Sequence, residues 1–158
     1  MTAVPAPPVI AHGGHRTQGP PRLCGARHEM TLVLTATATS VLNARRASRD
    51  ALARWNMGGE AADDVVLMVD ELVTNAVQHG RGPMWLRLSV HPSHTLVCEV
   101  GDSSDVLPGP RRAGPGAESG RGLFLVYALS DCFGARAAGT GKVVWFSRRI
   151  LSPPPTGG

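Results

Sequence analysis

The segment VVLMVDELVTNAVQHG sets Glu71, Asn75 and Gln78 four and three residues apart, which on a helix lines them along one side. Most of the other positions are apolar, so that helix should be largely buried. A carboxylate and a carboxamide one turn apart in such surroundings are costly unless something satisfies them. The alternative is a solvated stripe that begins at Asp64, as on any amphipathic helix. Farther along, Glu99-Val100-Gly101-Asp102 closes an apolar run. An aspartate there can accept a hydrogen bond from a ligand amine at the strand's carboxyl edge, although aspartate is also a common turn former. Third, Ser119-Gly120-Arg121-Gly122-Leu123-Phe124 puts two glycines just before an apolar helix. Free N–H groups and positive potential at a helix N-terminus suit phosphate, while glycines at that place also serve simply to punctuate a helix.

The elements that must hold these residues can be read with boundaries good to a few positions. Met30–Leu34 reads as a strand by its β-branched and apolar content. Thr39 or Ser40 can cap a first helix that runs to about Trp55 and stops at Gly58-Gly59. A second helix spans about Glu60 to Gln78, with Glu60, Asp63 and Asp64 in the turns that the helix dipole favours for acids. Met84–Val90 and Thr95–Val100 form a hairpin across His91-Pro92-Ser93-His94. A third helix covers about Gly122–Cys132, and strands follow near Ala135–Ala138 and Val143–Arg148. Three helices against a mixed, mostly antiparallel sheet make an α+β two-layer sandwich. Between strand and third helix lies Gly101–Gly120, roughly 20 residues rich in glycine and proline. A loop of that length inside a compact domain is usually functional, and it reads as a mobile lid.

The chain has 158 residues, enough for one domain with short tails: residues 1–28 as a disordered tail, 29–151 as the domain and 152–158 as a second tail. No run of apolar residues approaches the roughly 18–20 that span a bilayer, and no signal peptide is visible, so a cytoplasmic protein without membrane contact is expected. The net charge of +4 is uneven, since Arg16, Arg22 and Arg27 in the tail face no acid there. The folded part is nearly neutral and lacks the basic face that a nucleic-acid backbone requires. Fifteen arginines accompany a single lysine, Lys142, a skew that looks like GC-rich codon usage. Cys24, Cys98 and Cys132 form no C-x-x-C pair, which fits a reducing compartment and argues against zinc. His91-x-x-His94 has no further ligands in sequence, and neither a P-loop nor a G-x-S-x-G elbow is present.

The three segments together, in this order and around a lid, are more specific than any one of them. ELVTNAVQHG (residues 71–80) resembles the N box of the GHKL ATPases, the superfamily of gyrase B, sensor histidine kinases and MutL. Asp102 matches the adenine-binding aspartate of the next box, and Ser119-Gly120-Arg121-Gly122-Leu123 matches the phosphate-binding glycine box. The small size, with ELVTNAVQHG, SGRGLFLV and GKVVWF, resembles the anti-sigma-factor serine kinases, above all the short actinobacterial ATP-binding regulators. The likeness covers roughly residues 30–150.

That resemblance implies a Bergerat-type fold, ATP and Mg²⁺ as cofactors, and phosphorylation of a serine on a small anti-sigma-antagonist protein of the STAS type. A sigma factor as second partner and a homodimer formed through the first strand and helix are also implied. Asn75 would hold Mg²⁺ through its amide oxygen, and Glu71 would be general base. Asp102 would accept the adenine amino proton, with Thr74 assisting through water. Gly120, Arg121, Gly122 and Leu123 would serve the phosphates, and His79 would fill a packing or family position. The sequence departs from the family at Ser103-Ser104, where the adenine box carries glycine. It departs again at Glu118, where some relatives place an arginine, and at Val143, where threonine is common. Those departures keep open a second reading, an ATP-binding module that acts by holding a partner. A histidine-kinase fragment is a third, disfavoured because no helix pair for dimerisation precedes residue 30.

Overall fold

Apolar residues alternate with exposed ones in His28–Leu34 (β1), so Met30, Leu32 and Leu34 point inward while Thr31 and Val33 face away. In the computed structural model of the chain, residues 25–104, 119–139 and 141–150 are described, with the backbone alone for 119–122. Helix α1 (Ala38–Arg54) is capped by Thr37, whose side chain accepts the Ser40 N–H. The cap expected at Thr39 or Ser40 therefore sits earlier, because the Ser40 hydroxyl is used instead to accept the Thr35 N–H at 2.9 Å. The buried side of α1 is Ser40, Ala44, Ser48, Ala51 and Leu52, small residues that let α2 approach. Asn56, with φ of 56°, ends the helix.

Helix α2 (Gly59–His79) buries Ala62, Val65, Val66, Met68, Val69, Leu72, Val73 and Ala76. It is the central element of a layer in which α1 and α3 pack on either side. Strands β2 (Met84–Val90) and β3 (Thr95–Asp102) form the expected hairpin, with His94 at φ 57° in its turn. Then come α3 (Ser119–Leu129), β4 (Cys132–Ala138) and β5 (Gly141–Arg149).

Helix α3 starts and ends three residues before the expected limits, so its glycines lie inside its first turn and Cys132 opens β4. Strand β3 likewise continues through Asp102. The 5 strands run in the order β1-β2-β3-β5-β4. Among the described residues every pairing is antiparallel, so the sheet expected to be mixed but mostly antiparallel has no parallel pair there. After α3 the chain enters at the sheet edge as β4, then turns back into the gap beside β3 as β5. Each strand thus runs opposite to its neighbours.

All helices cover one face. Leu86, Leu88, Val90, Leu96, Cys98, Val100, Val144 and Phe146 meet the inner side of α2 in a single core. The opposite face carries Val97, Val143 and Trp145, buried but outside that core, together with Glu99. Cys98 and Cys132 are free thiols, and Cys24 lies outside the described residues. So do residues 1–24 of the expected N-terminal tail, the C-terminal tail and most of the expected lid, residues 105–118, whereas Arg27 and His28, expected in the tail, pair with β2. Among the described residues, no helix is long and apolar enough to cross a membrane and no cluster of metal-ligating side chains occurs.

Candidate functional site

Helix α2 brings Glu71, Thr74 and Asn75 to the margin of the core, where each is half-buried, whereas Gln78 and His79 are exposed. The stripe is therefore neither fully sunk nor fully solvated. No hydrogen bond links Glu71 or Asn75 to another described side chain. Burial pushes the Glu71 carboxyl above its usual range, and the neighbouring charge of Asp70 adds to that. Asp70 is itself held from α1 by Arg45, whose Nη2 donates to Oδ2 at 2.8 Å.

Asp102 is the last residue of β3 and lies on the helix-covered face, two positions beyond the core residue Val100, where its side chain also forms the turn that follows. Its side chain is 1% exposed. Oδ1 accepts the Ser104 N–H at 2.7 Å, and Oδ2 lies 3.4 Å from Lys142 Nζ. Two glycines make room for it. A Cβ on Gly80 would stand 2.4 Å from the Ala76 carbonyl oxygen and 3.0 Å from Asp102 Cγ. One on Gly141 would stand 1.9 Å from the Asp102 carbonyl oxygen. Asp102 thus sits directly beneath the C-terminal end of α2, five residues past Asn75, or about 7–8 Å along the helix axis. The start of the expected lid is pinned there too, because Ser103 N–H donates to the Arg81 carbonyl at 2.7 Å.

Helix α3 packs beside α2 and begins with the glycine segment, so Gly120, Arg121 and Gly122 form its first turn. The unpaired N–H groups of that turn are the part of the site suited to an anion. Leu123 is half-buried and packs on the core, whereas Phe124 next to it is 70% exposed. Glu118 lies outside the described residues.

The arrangement assembles α2, the end of β3 and the start of α3 around one end of the sheet. Lys142, Gly80 and Gly141 belong to it and were not among the site residues expected from sequence. The register that places Lys142 opposite Asp102 follows only once β3 and β5 are known to be neighbours. The one available signal was a lone lysine in an arginine-rich chain.

Comparison with known proteins bears on the family and the fold. The family model described as the histidine kinase-like ATPase domain matches residues 34–148. Among solved structures, the chain is similar to the RsbU and RsbW domains of Rv1364c from Mycobacterium tuberculosis, with 19% identity and a TM-score of 0.64. That match covers 80% of this chain and 33% of the other, so the chain spans about a third of its length. The SiaB–SiaC complex from Pseudomonas aeruginosa is similar at 12% identity and a TM-score of 0.55, over 75% of this chain and 87% of that one. No curated protein sequence matches. The two structures share the fold, three helices on a five-stranded antiparallel sheet. The family match takes in α2, Asp102 and the first turn of α3 and extends over well more than half of the sequence: the chain belongs to the histidine kinase-like ATPase domain family, of the GHKL superfamily.

Proposed function

We propose that the chain binds Mg·ATP and transfers the γ-phosphoryl group to a serine of a small anti-sigma-antagonist protein of the STAS type. The observation that carries this reading is the buried Asp102 carboxylate beneath the end of the helix that bears Glu71 and Asn75. A carboxylate so placed, at a strand end beneath the C-terminal end of α2, provides an acceptor for the exocyclic amine of adenine. The phosphates then lie toward the first turn of α3, where the N–H groups of Gly120, Arg121, Gly122 and Leu123 offer donors. Arg121 adds positive charge to that turn, and Thr74 reaches the base through water.

Asn75 fits the metal's requirements: a half-exposed amide oxygen with no described side chain bonded to it, suited to a hard cation that keeps phosphate and water ligands. When bound, Mg²⁺ supplies charge neutralisation on the phosphates. Glu71, one turn earlier, takes the proton of the attacking serine hydroxyl, and burial, with Asp70 beside it, raises its proton affinity, the direction that favours a base.

A second reading, partner sequestration by a catalytically weak ATP-binding module, draws on one specific observation. Ser104 N–H, in the box where relatives carry glycine, is spent on Asp102 and is withdrawn from any nucleotide. A sigma factor would be the sequestered partner in a cytoplasmic setting. Strand β1 forms a sheet edge with Val33 80% exposed, the place where a second copy would pair in a homodimer.

The first test is calorimetric titration of a non-hydrolysable ATP analogue with Mg²⁺ into wild type and Asn75→Ala. Binding should weaken by roughly two orders of magnitude in the variant, the scale of a lost charged contact. No binding by folded wild type would sink both readings. Labelled phosphate appearing on a serine of the STAS protein, and lost in Glu71→Gln while nucleotide affinity is kept, separates the kinase from the sequestering module.

A further inference from the structure

Lys142 is the only lysine among sixteen basic residues, and its side chain is 4% exposed. A strongly hydrated ammonium is seldom buried without a partner of opposite charge. Its place is set by the sheet: Lys142 is the register partner of Asp102 across β3 and β5, so the two side chains leave the same face side by side. Their separation of 3.4 Å exceeds the 2.7–2.9 Å typical of a direct charge-assisted hydrogen bond. The pair is thus held by charge while Oδ2 keeps lone-pair capacity, and Oδ1 is fixed by the Ser104 N–H at 2.7 Å. An arginine, the basic residue this chain otherwise uses, would bring a planar fork of donors and fill both lone pairs of a carboxylate. A lysine supplies the charge as a point.

We propose that Lys142 is a positioning residue for base recognition: it holds the Asp102 carboxylate so that Oδ2 is presented as an acceptor to an exocyclic amine, and so sets a preference for 6-aminopurine nucleotides. This deepens the reading of Asp102 as the residue that meets the base and rests on it. Without the ammonium, the buried carboxylate must rotate toward other donors or take up a proton, and either change spoils a single-sided acceptor. The nucleotides at stake are those that differ at one ring position: an amine in ATP, hydrogen in purine riboside triphosphate, an oxo group in GTP.

Affinities for these three nucleotides, each with Mg²⁺, are to be measured on wild type, Lys142→Met, Lys142→Gln and Asp102→Asn, with thermal unfolding followed in parallel. Wild type should favour ATP over purine riboside triphosphate by about tenfold or more, the range for a hydrogen bond to a charged group. Both Lys142 variants should bring that ratio to within about threefold of one. A fall in affinity for all nucleotides that leaves the ratio unchanged would mean that Lys142 only supports the fold, and would overturn the proposal. If Asp102→Asn keeps the wild-type ratio, the base is read elsewhere and the underlying assignment fails, whatever Lys142 does. A measurement without substitution covers the case in which the variants do not fold. In untagged protein labelled with ¹⁵N-lysine, the single side-chain ammonium signal should shift on adding ATP and barely move with purine riboside triphosphate. Equal shifts with both would overturn the proposal.

Discussion

Strand β3 buries two carboxylates three residues apart, and they point to opposite faces of the sheet. Glu99, on the face without helices, has a side chain 5% exposed and is closed in by arginines. Arg87 donates to Oε2 through Nε at 2.8 Å and again through Nη2, and Arg136 reaches Oε1 at 3.4 Å from β4. The Arg87 guanidinium also lies 5.8 Å from the centre of the Trp85 ring. Among the described residues, Asp102 meets a backbone N–H and a lysine at 3.4 Å. Burial and an opposite charge are common to both, so neither marks a site. What separates them is saturation. Glu99 Oε2 is taken by the planar Arg87 fork and a second arginine covers Oε1, on the face without helices, whereas Asp102 meets one backbone N–H and one point charge beneath the end of α2.

Substitutions test that division directly. Asp102→Asn should weaken ATP binding by about 100-fold, the upper range for losing a charged hydrogen-bond partner, as measured by titration calorimetry. It should also lower stability, because the attraction between the buried Lys142 ammonium and the Asp102 carboxylate is weakened. Glu99→Gln should cost about 2 kcal/mol of stability, the arginines being partly exposed and able to find water, with ATP affinity within about twofold of wild type. A tenfold loss of affinity in Glu99→Gln would erase the distinction between the two carboxylates.

A matched pair of glycines sharpens it at smaller scale. On the outer face, a Cβ on Gly101 would stand 2.3 Å from the Trp85 ring. On the inner face, one on Gly80 would press on both Ala76 and Asp102. Either change to alanine should cost about 1–2 kcal/mol through overpacking, read by chemical denaturation. Only Gly80→Ala should also reduce nucleotide affinity, since only there is the displaced group the recognition carboxylate. Equal affinities for the two variants would show that Asp102 tolerates displacement and so is not held for recognition.

How far the sequence carried this picture differs between the same two regions. The apolar periodicity of α2, with its acidic start and Gly80 stop, placed Glu71, Thr74 and Asn75 on one helix, and the structure keeps them there. The β2–β3 hairpin followed from two short strand-like runs on either side of a four-residue turn. Pairing between distant segments was not legible. That β5 enters between β3 and β4, and so sets Lys142 beside Asp102 and Trp145 beside Glu99, depends on the order of strands in space. Local propensity does not encode that order. The limits of α3 moved for a related reason: Ser119 and the two glycines are poor helix formers taken alone, yet the helix they open packs against α2. The Glu99 clamp went unread because its arginines, Arg87 and Arg136, stand on two different strands with nothing in their spacing to join them.

The smallest expected effect concerns Glu71, which unlike the two β3 carboxylates has no basic partner among the described residues. Its folded proton affinity is raised by burial first and by Asp70 second, so between the ordinary carboxylate pKa and the raised folded value the native state binds more protons than the unfolded chain. Stability therefore falls as pH rises through that window. Glu71→Gln removes the ionisation and should flatten the slope, leaving the variant equal to or slightly more stable than wild type at neutral pH. Denaturation midpoints collected from acid to neutral pH for both proteins give the comparison. A variant markedly less stable than wild type at neutral pH would mean that the Glu71 carboxylate is held by favourable contacts. Its half-buried place on α2 would then be structural, and the role of general base would pass to another group.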